Sequence, residues 1–125
     1  SPETLTAIFT KMKTGVKKAD GRIKDVFFCP HTPDEGCTCR KPLTGLILQA
    51  QKRYGLDLDL TCMVGDSVKD IECAKNAGCS KNILVKTGNG EKSQTILLKN
   101  TITPDFIGDD LWDAAQWIIK NMKNK

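Results

Sequence analysis

Residues 29 to 42 read CPHTPDEGCTCRKP and gather three of the chain's six cysteines and its single histidine into one short loop. The spacing C-x-H-x5-C-x-C offers Cys29, His31, Cys37 and Cys39 as three thiolates and an imidazole. That is the soft donor set of a closed tetrahedral zinc site, and four protein ligands leave no open position, so such a metal would be structural. The alternatives are a chance cluster, or a disulfide from Cys29 to Cys37 or Cys39 in an oxidising compartment. A second group lies in Val64-Gly65-Asp66-Ser67-Val68-Lys69-Asp70. Asp66 at the carboxyl end of a strand and Asp70 one helical turn further on could share a crevice, and hard carboxylates there suit Mg2+. The plainer alternative makes Asp66 a helix N-cap and Asp70 a first-turn acid that complements the helix dipole.

The elements that must position these groups alternate along the chain. Ser1-Pro2-Glu3 reads as a helix start, and Leu5, Ile8, Phe9, Met12 and Val16 recur at helical spacing behind it. Ile23 to Cys29 suits a strand that runs into the cysteine loop. Leu43, Leu46, Ile47, Ala50 and Tyr54 form one helical face, stopped by Gly55. Thr61 to Gly65 reads as a buried strand, Ser67 to Ala77 as a helix ended by Gly78, and Asn82 to Lys86 as a second buried strand. A short strand near Asp105 to Ile107 and a last helix carrying Leu111, Ala115, Ile118, Ile119 and Met122 complete the series, with Trp112 and Trp117 expected in the core or docking that helix. Gly88-Asn89-Gly90 reads as a plain turn. The expected fold is therefore α/β, a Rossmann-like parallel sheet with helices on both faces, whose sites lie at the carboxyl ends of its strands.

At 125 residues the chain has room for one cored domain, with the zinc loop at 29–41. No run of about 18 apolar residues is present, and the first residues lack the pattern of a secretory signal, so a cytoplasmic protein without a membrane partner is expected. The net charge of +4 collects in Lys11, Lys13, Lys17, Lys18, Arg22 and Lys24 near the start and Lys120, Lys123 and Lys125 at the end. These lysines have no interleaved aromatics, which argues for solvated helix faces and against nucleic acid. Cys62, Cys73 and Cys79 fall in apolar or helical settings and are expected as buried thiols.

Cys-x-Cys-Arg-Lys-Pro opening a helix, then a strand with G-D-x-x-x-D, A-x-x-A-G and an apolar strand, resembles the haloacid dehalogenase (HAD) superfamily of phosphatases. CPHTPDEGCTCRKP is similar to the zinc loop of the branch that holds the D-glycero-D-manno-heptose 1,7-bisphosphate phosphatases and the histidinol-phosphate phosphatases. The stretch from Phe27 to Gly88, with GLILQAQKRYGLDL, MVGDSVKDIECAKNAG and ILVKTG, is more similar to the heptose enzymes. The resemblance implies a capless Mg2+-dependent phosphatase that acts on a sugar phosphate, and structural Zn2+ in the loop. It implies that Lys41 neutralises phosphate and nucleophile, that Arg40 clamps the substrate, that Asp66 binds Mg2+, and that Asp70 supports it or holds Lys41. The superfamily's attacking aspartate stands in a D-x-D after an apolar strand, and none precedes Ser1. Asp57-Leu58-Asp59-Leu60-Thr61 spells D-x-D-x-T, but it follows a helix and its glycine stop and reads as a connection. The chain is thus expected to be the later part of such a domain, inactive alone and in need of the missing N-terminal half. A non-catalytic zinc-binding interaction module is the alternative from another class.

Overall fold

The computed structural model describes residues 1–29, 36–38 and 40–122. Three strands, β1 (Cys62–Gly65), β2 (Lys81–Val85) and β3 (Phe106–Gly108), form a parallel sheet in chain order, with Met63 beside Asn82 and Ile83 beside Phe106. Helices α1 (Pro2–Lys18) and α2 (Gly45–Tyr54) precede the sheet, while α3 (Val68–Ala77), α4 (Gly90–Lys99) and α5 (Leu111–Asn121) follow its strands in turn.

The pleat of β2 explains why helices cover both faces. Successive side chains of a strand point to opposite sides. Leu84 accordingly packs with Ile71 of α3 and Leu97 of α4, joined by Val68, Ile102 and Ile107. Ile83 and Val85 pack with Ala114 of α5, joined by Val64, Phe106, Trp117 and Ile118. Ile71, Ile83 and Leu84 are fully buried, and each contributes about 2 kcal/mol by leaving water. The α/β architecture expected from the alternation is therefore present.

The differences from expectation have physical causes. Residues 23–29 run without strand structure, because a strand exists only against a neighbour and none is present among the described residues. The segment is held by side chains instead: Phe28 packs on Phe9 and Phe27 meets Tyr54 edge-on. The Tyr54 hydroxyl also donates to Asp25 Oδ2 at 2.5 Å and holds that carboxyl below its usual range. Helix α1 starts at the expected N-cap, Ser1, but buries none of its apolar residues, and its face opens on a groove lined by Leu5, Ile8, Phe9 and Phe28. Leu43 lies half exposed in the turn before α2. Trp117 stacks on Phe106 as expected, whereas Trp112 is 73% exposed, since five residues of helix rotate it about 140° from Trp117. Helix α4, beginning at the last residue of Gly88-Asn89-Gly90, was not anticipated from the sequence.

Cys73 is fully buried and Cys62 and Cys79 are half-buried, and burial pushes all three thiols up, which disfavours the reactive thiolate form. No helix among the described residues is long and apolar enough to cross a membrane.

Candidate active site

Asp66 and Asp70 sit where β1 gives way to α3, at the carboxyl end of the sheet. The N-cap of α3 is Ser67, not Asp66. Its hydroxyl accepts from the Asp70 amide at 3.1 Å, and Asp70 Oδ2 accepts in return from the Ser67 and Asp66 amides at 3.2 and 3.1 Å. This capping box satisfies amide donors that the helix itself leaves orphaned. The other oxygen, Asp70 Oδ1, accepts from Lys41 Nζ at 2.6 Å. Asp70 thus has no oxygen to spare, and it is 6% exposed. Burial pushes its carboxyl up, but the Lys41 ammonium and the bonds to Ser67 outweigh that and leave it below the usual carboxylate range. The backbone comes this close to Asp70 because residue 65 is glycine: a Cβ there would overlap the carboxylate.

Asp66 is held differently. Its Oδ2 accepts from the Asn89 amide at 3.0 Å, and its carbonyl accepts from the Ser93 hydroxyl at 2.9 Å. Gly88 makes room for it, with φ of +61° and no Cβ to strike the Asp66 carboxylate. The turn that seemed plain in sequence is therefore a support for Asp66. Asp66 Oδ1 has no hydrogen-bond partner among the described residues and remains available to a hard cation, which takes oxygen ligands.

Lys41 is fixed by the loop that carries it. Cys73 Sγ donates to the Leu43 carbonyl at 3.4 Å and the Asn76 side-chain amide to that of Pro42 at 3.5 Å, so residues 42 and 43 are tied to α3. Beside Lys41 opens a cavity of about 390 Å³ lined by Phe27, Phe28, Cys29, Arg40, Lys41, Leu46 and Lys69. Three cations on one cleft with a buried acid behind it form a place for an anion that bears an apolar or sugar body. A model of the HAD-hydrolase-like family matches residues 38–114. This chain belongs to that family.

Among its relatives, the D-glycero-beta-D-manno-heptose-1,7-bisphosphate 7-phosphatase of Bordetella bronchiseptica is 46% identical over 72% of this chain and 50% of its own length. The enzyme of the same name from Pseudomonas aeruginosa is 39% identical over 93% of this chain and 63% of its own. The crystal structure of D,D-heptose 1.7-bisphosphate phosphatase from B. bronchiseptica, complexed with magnesium and phosphate, superposes with a TM-score of 0.84 at 38% identity, covering 94% of this chain and 64% of that one. The chain therefore spans about half to two thirds of the length of these HAD relatives.

Of the residues expected at the site of this HAD chain, the structure brings Arg40, Lys41, Asp66 and Asp70 to one end of the sheet, with Cys29 on the cleft wall. Cys29 Sγ lies 3.4 Å from Cys37 Sγ. That is too long for the roughly 2.05 Å of a disulfide bond and is the spacing of two thiols in hydrogen-bond contact. His31 and Cys39 lie outside the described residues, and no group of three or more metal-binding side chains occurs among those described. Asp57 and Asp59 of the D-x-D-x-T string lie away from the site at a 3-10 turn, Leu58–Leu60, where Asp57 accepts from the Asp59 amide at 3.0 Å. Sequence reading missed Lys69 on the cleft and the Gly88-Asn89 support. The position of that glycine turn at the carboxyl end of β2 was the available signal for the second.

Proposed function

We propose that the protein containing this chain is a Mg2+-dependent phosphatase that removes the 7-phosphate of D-glycero-D-manno-heptose 1,7-bisphosphate. The observation that carries the reading is the Lys41–Asp70 ion pair beside Asp66 at the carboxyl end of β1, opening on a cleft with Arg40. The names of the relatives supply the substrate.

In this reading, an aspartate from the remaining part of the domain attacks phosphorus in line, the P–O bond to the sugar breaks, and water later releases phosphate from the aspartyl ester. Lys41 sets its ammonium against the charge that gathers on the equatorial oxygens, and Asp70 keeps that ammonium in place. Arg40 offers a planar fork to the substrate. Mg2+, held through Asp66, would supply electrostatic stabilisation of the phosphoryl oxygens. Zn2+ on Cys29, His31, Cys37 and Cys39 would shape the loop without chemical part, and a cytoplasmic setting keeps those thiols reduced. The side of β1 that is unpaired among the described residues, and the apolar face of α1, would pack against the rest of such a domain.

The test is phosphate release by the full-length protein from the heptose bisphosphate and from histidinol phosphate, with and without Mg2+. Preference for the first supports the reading. Preference for the second reassigns the substrate, and phosphate release by residues 1–125 alone above a no-protein control would refute the role given to the upstream aspartate.

A further inference from the structure

Three helical threonines bond their hydroxyls to their own helix. Thr6 donates to the Pro2 carbonyl, Thr10 to that of Thr6 and Thr95 to that of Glu91, each four residues back. Ser93 does not. It stands in α4 at 5% exposure, where alanine would suit the helix better, yet its hydroxyl crosses to the Asp66 carbonyl at 2.9 Å. That carbonyl lies one residue past Gly65, the last paired residue of β1, so the ladder leaves it to Ser93. The frame behind Ser93 is fixed. Leu97 anchors α4 in the core with Ile71 and Leu84, and a Cβ on Gly90 would overlap the Val85 carbonyl, so the start of the helix is seated directly on the end of β2. The same turn brings the Asn89 amide to Asp66 Oδ2 at 3.0 Å. With the Asp66 amide donating to Asp70 Oδ2, only Oδ1 of the Asp66 polar atoms has no hydrogen-bond partner among the described residues.

We propose that Ser93 is a positioning residue that fixes Asp66 as a one-oxygen ligand for Mg2+. The inference rests on the Mg2+ role given to Asp66 above. Mg2+ demands near-ideal octahedral geometry and gains from a single preset oxygen, whereas Ca2+ tolerates loose geometry and takes carboxylates through one oxygen or both. Releasing the Asp66 backbone from α4 lets its carboxylate swing off the Asn89 amide, which harms Mg2+ binding and spares Ca2+.

The experiment compares full-length wild type, Ser93→Ala and Thr95→Ala, the last a control that removes a hydroxyl bonded within α4. The first readout is isothermal titration calorimetry of Mg2+ and of Ca2+ without substrate. Ser93→Ala should raise Kd for Mg2+ about tenfold and for Ca2+ about threefold or less, and Thr95→Ala should change neither. The second readout is phosphate release from the heptose bisphosphate. The Mg2+ concentration for half-saturation should rise by the same factor in Ser93→Ala, while kcat at saturating Mg2+ stays within about twofold of wild type. If the calorimetric result holds but the heptose bisphosphate is not hydrolysed, the substrate assignment falls and the role of Ser93 stands. If Ser93→Ala binds Mg2+ like wild type, loses both ions equally or is matched by Thr95→Ala, the proposal is overturned and Asp66 keeps its Mg2+. A wild type that binds no Mg2+ overturns both.

Discussion

Replacing Asp70 by alanine removes one carboxylate that serves three donors from two stretches of chain. The Ser67 and Asp66 amides lose their acceptor, at 3.2 and 3.1 Å, and the capping box of α3 opens. Losing the cap costs about 1 kcal/mol, and stranding half-buried amides about 1 kcal/mol more for each that water does not reach. The Lys41 side chain is 45% exposed, so its ammonium rehydrates and adds little. The sum is about 2 to 3 kcal/mol, or a fall of about 10 °C in Tm for a domain of this size. Lys41→Met should lower Tm by less than Asp70→Ala, because the Ser67 and Asp66 amides still serve the buried carboxylate that it leaves without its cation. Thermal unfolding of the full-length variants, followed by circular dichroism, measures both. Acid gives a second check. The folded carboxyl lies below its ordinary value of 3.8, so its stabilisation is complete above that pH and is lost as pH falls from there through the lower folded value. Asp70→Asn should flatten the loss of stability in that acid window. An Asp70→Ala Tm within about 2 °C of wild type, or an acid profile that Asp70→Asn leaves unaltered, refutes the buried-latch reasoning.

Gly88→Ala places a side chain at φ of +61° and against the Asp66 carboxylate. It should cost about 1 to 2 kcal/mol in stability and raise the Mg2+ concentration that half-saturates phosphate release, and a Mg2+ titration identical to wild type would count against Asp66 as its ligand. Metal analysis of the purified protein should find about one zinc per chain, and Cys37→Ser should lose it. A zinc-free wild type that melts at the same temperature with and without added zinc would remove the loop metal.

Much of the sheet block was legible because its signals are local. Ile-Leu-Val in β2 needs both faces covered, and Ser67 with Asp70 three residues on is a capping pattern that marks the start of α3. The reading of Asp70 as a first-turn acid and its contact with Lys41 coexist, since one oxygen serves the helix and the other accepts from Lys41. What escaped was set by contacts distant in sequence. Ile23 to Cys29 has the composition of a strand, but pairing is a property of two segments and its neighbour is not among the described residues. Helix α4 hid behind Gly90 and a polar first turn, with Leu97 its one fully buried side chain. Lys69 looked like any surface lysine until α3 was seen to set it across a cleft from Arg40.

The sheet pairs its strands in the order of the chain, Met63 beside Asn82 and then Ile83 beside Phe106. Each pairing closes a loop of only about twenty residues with its own helix inside, a low topological cost. Both β2 and β3 pair with the strand that immediately precedes them in the chain. The contact from Lys41 to Asp70, in contrast, reaches back across α2 and β1. The same carboxylate closes the capping box of α3, so the segment that carries Lys41 is anchored to the frame at the start of that helix.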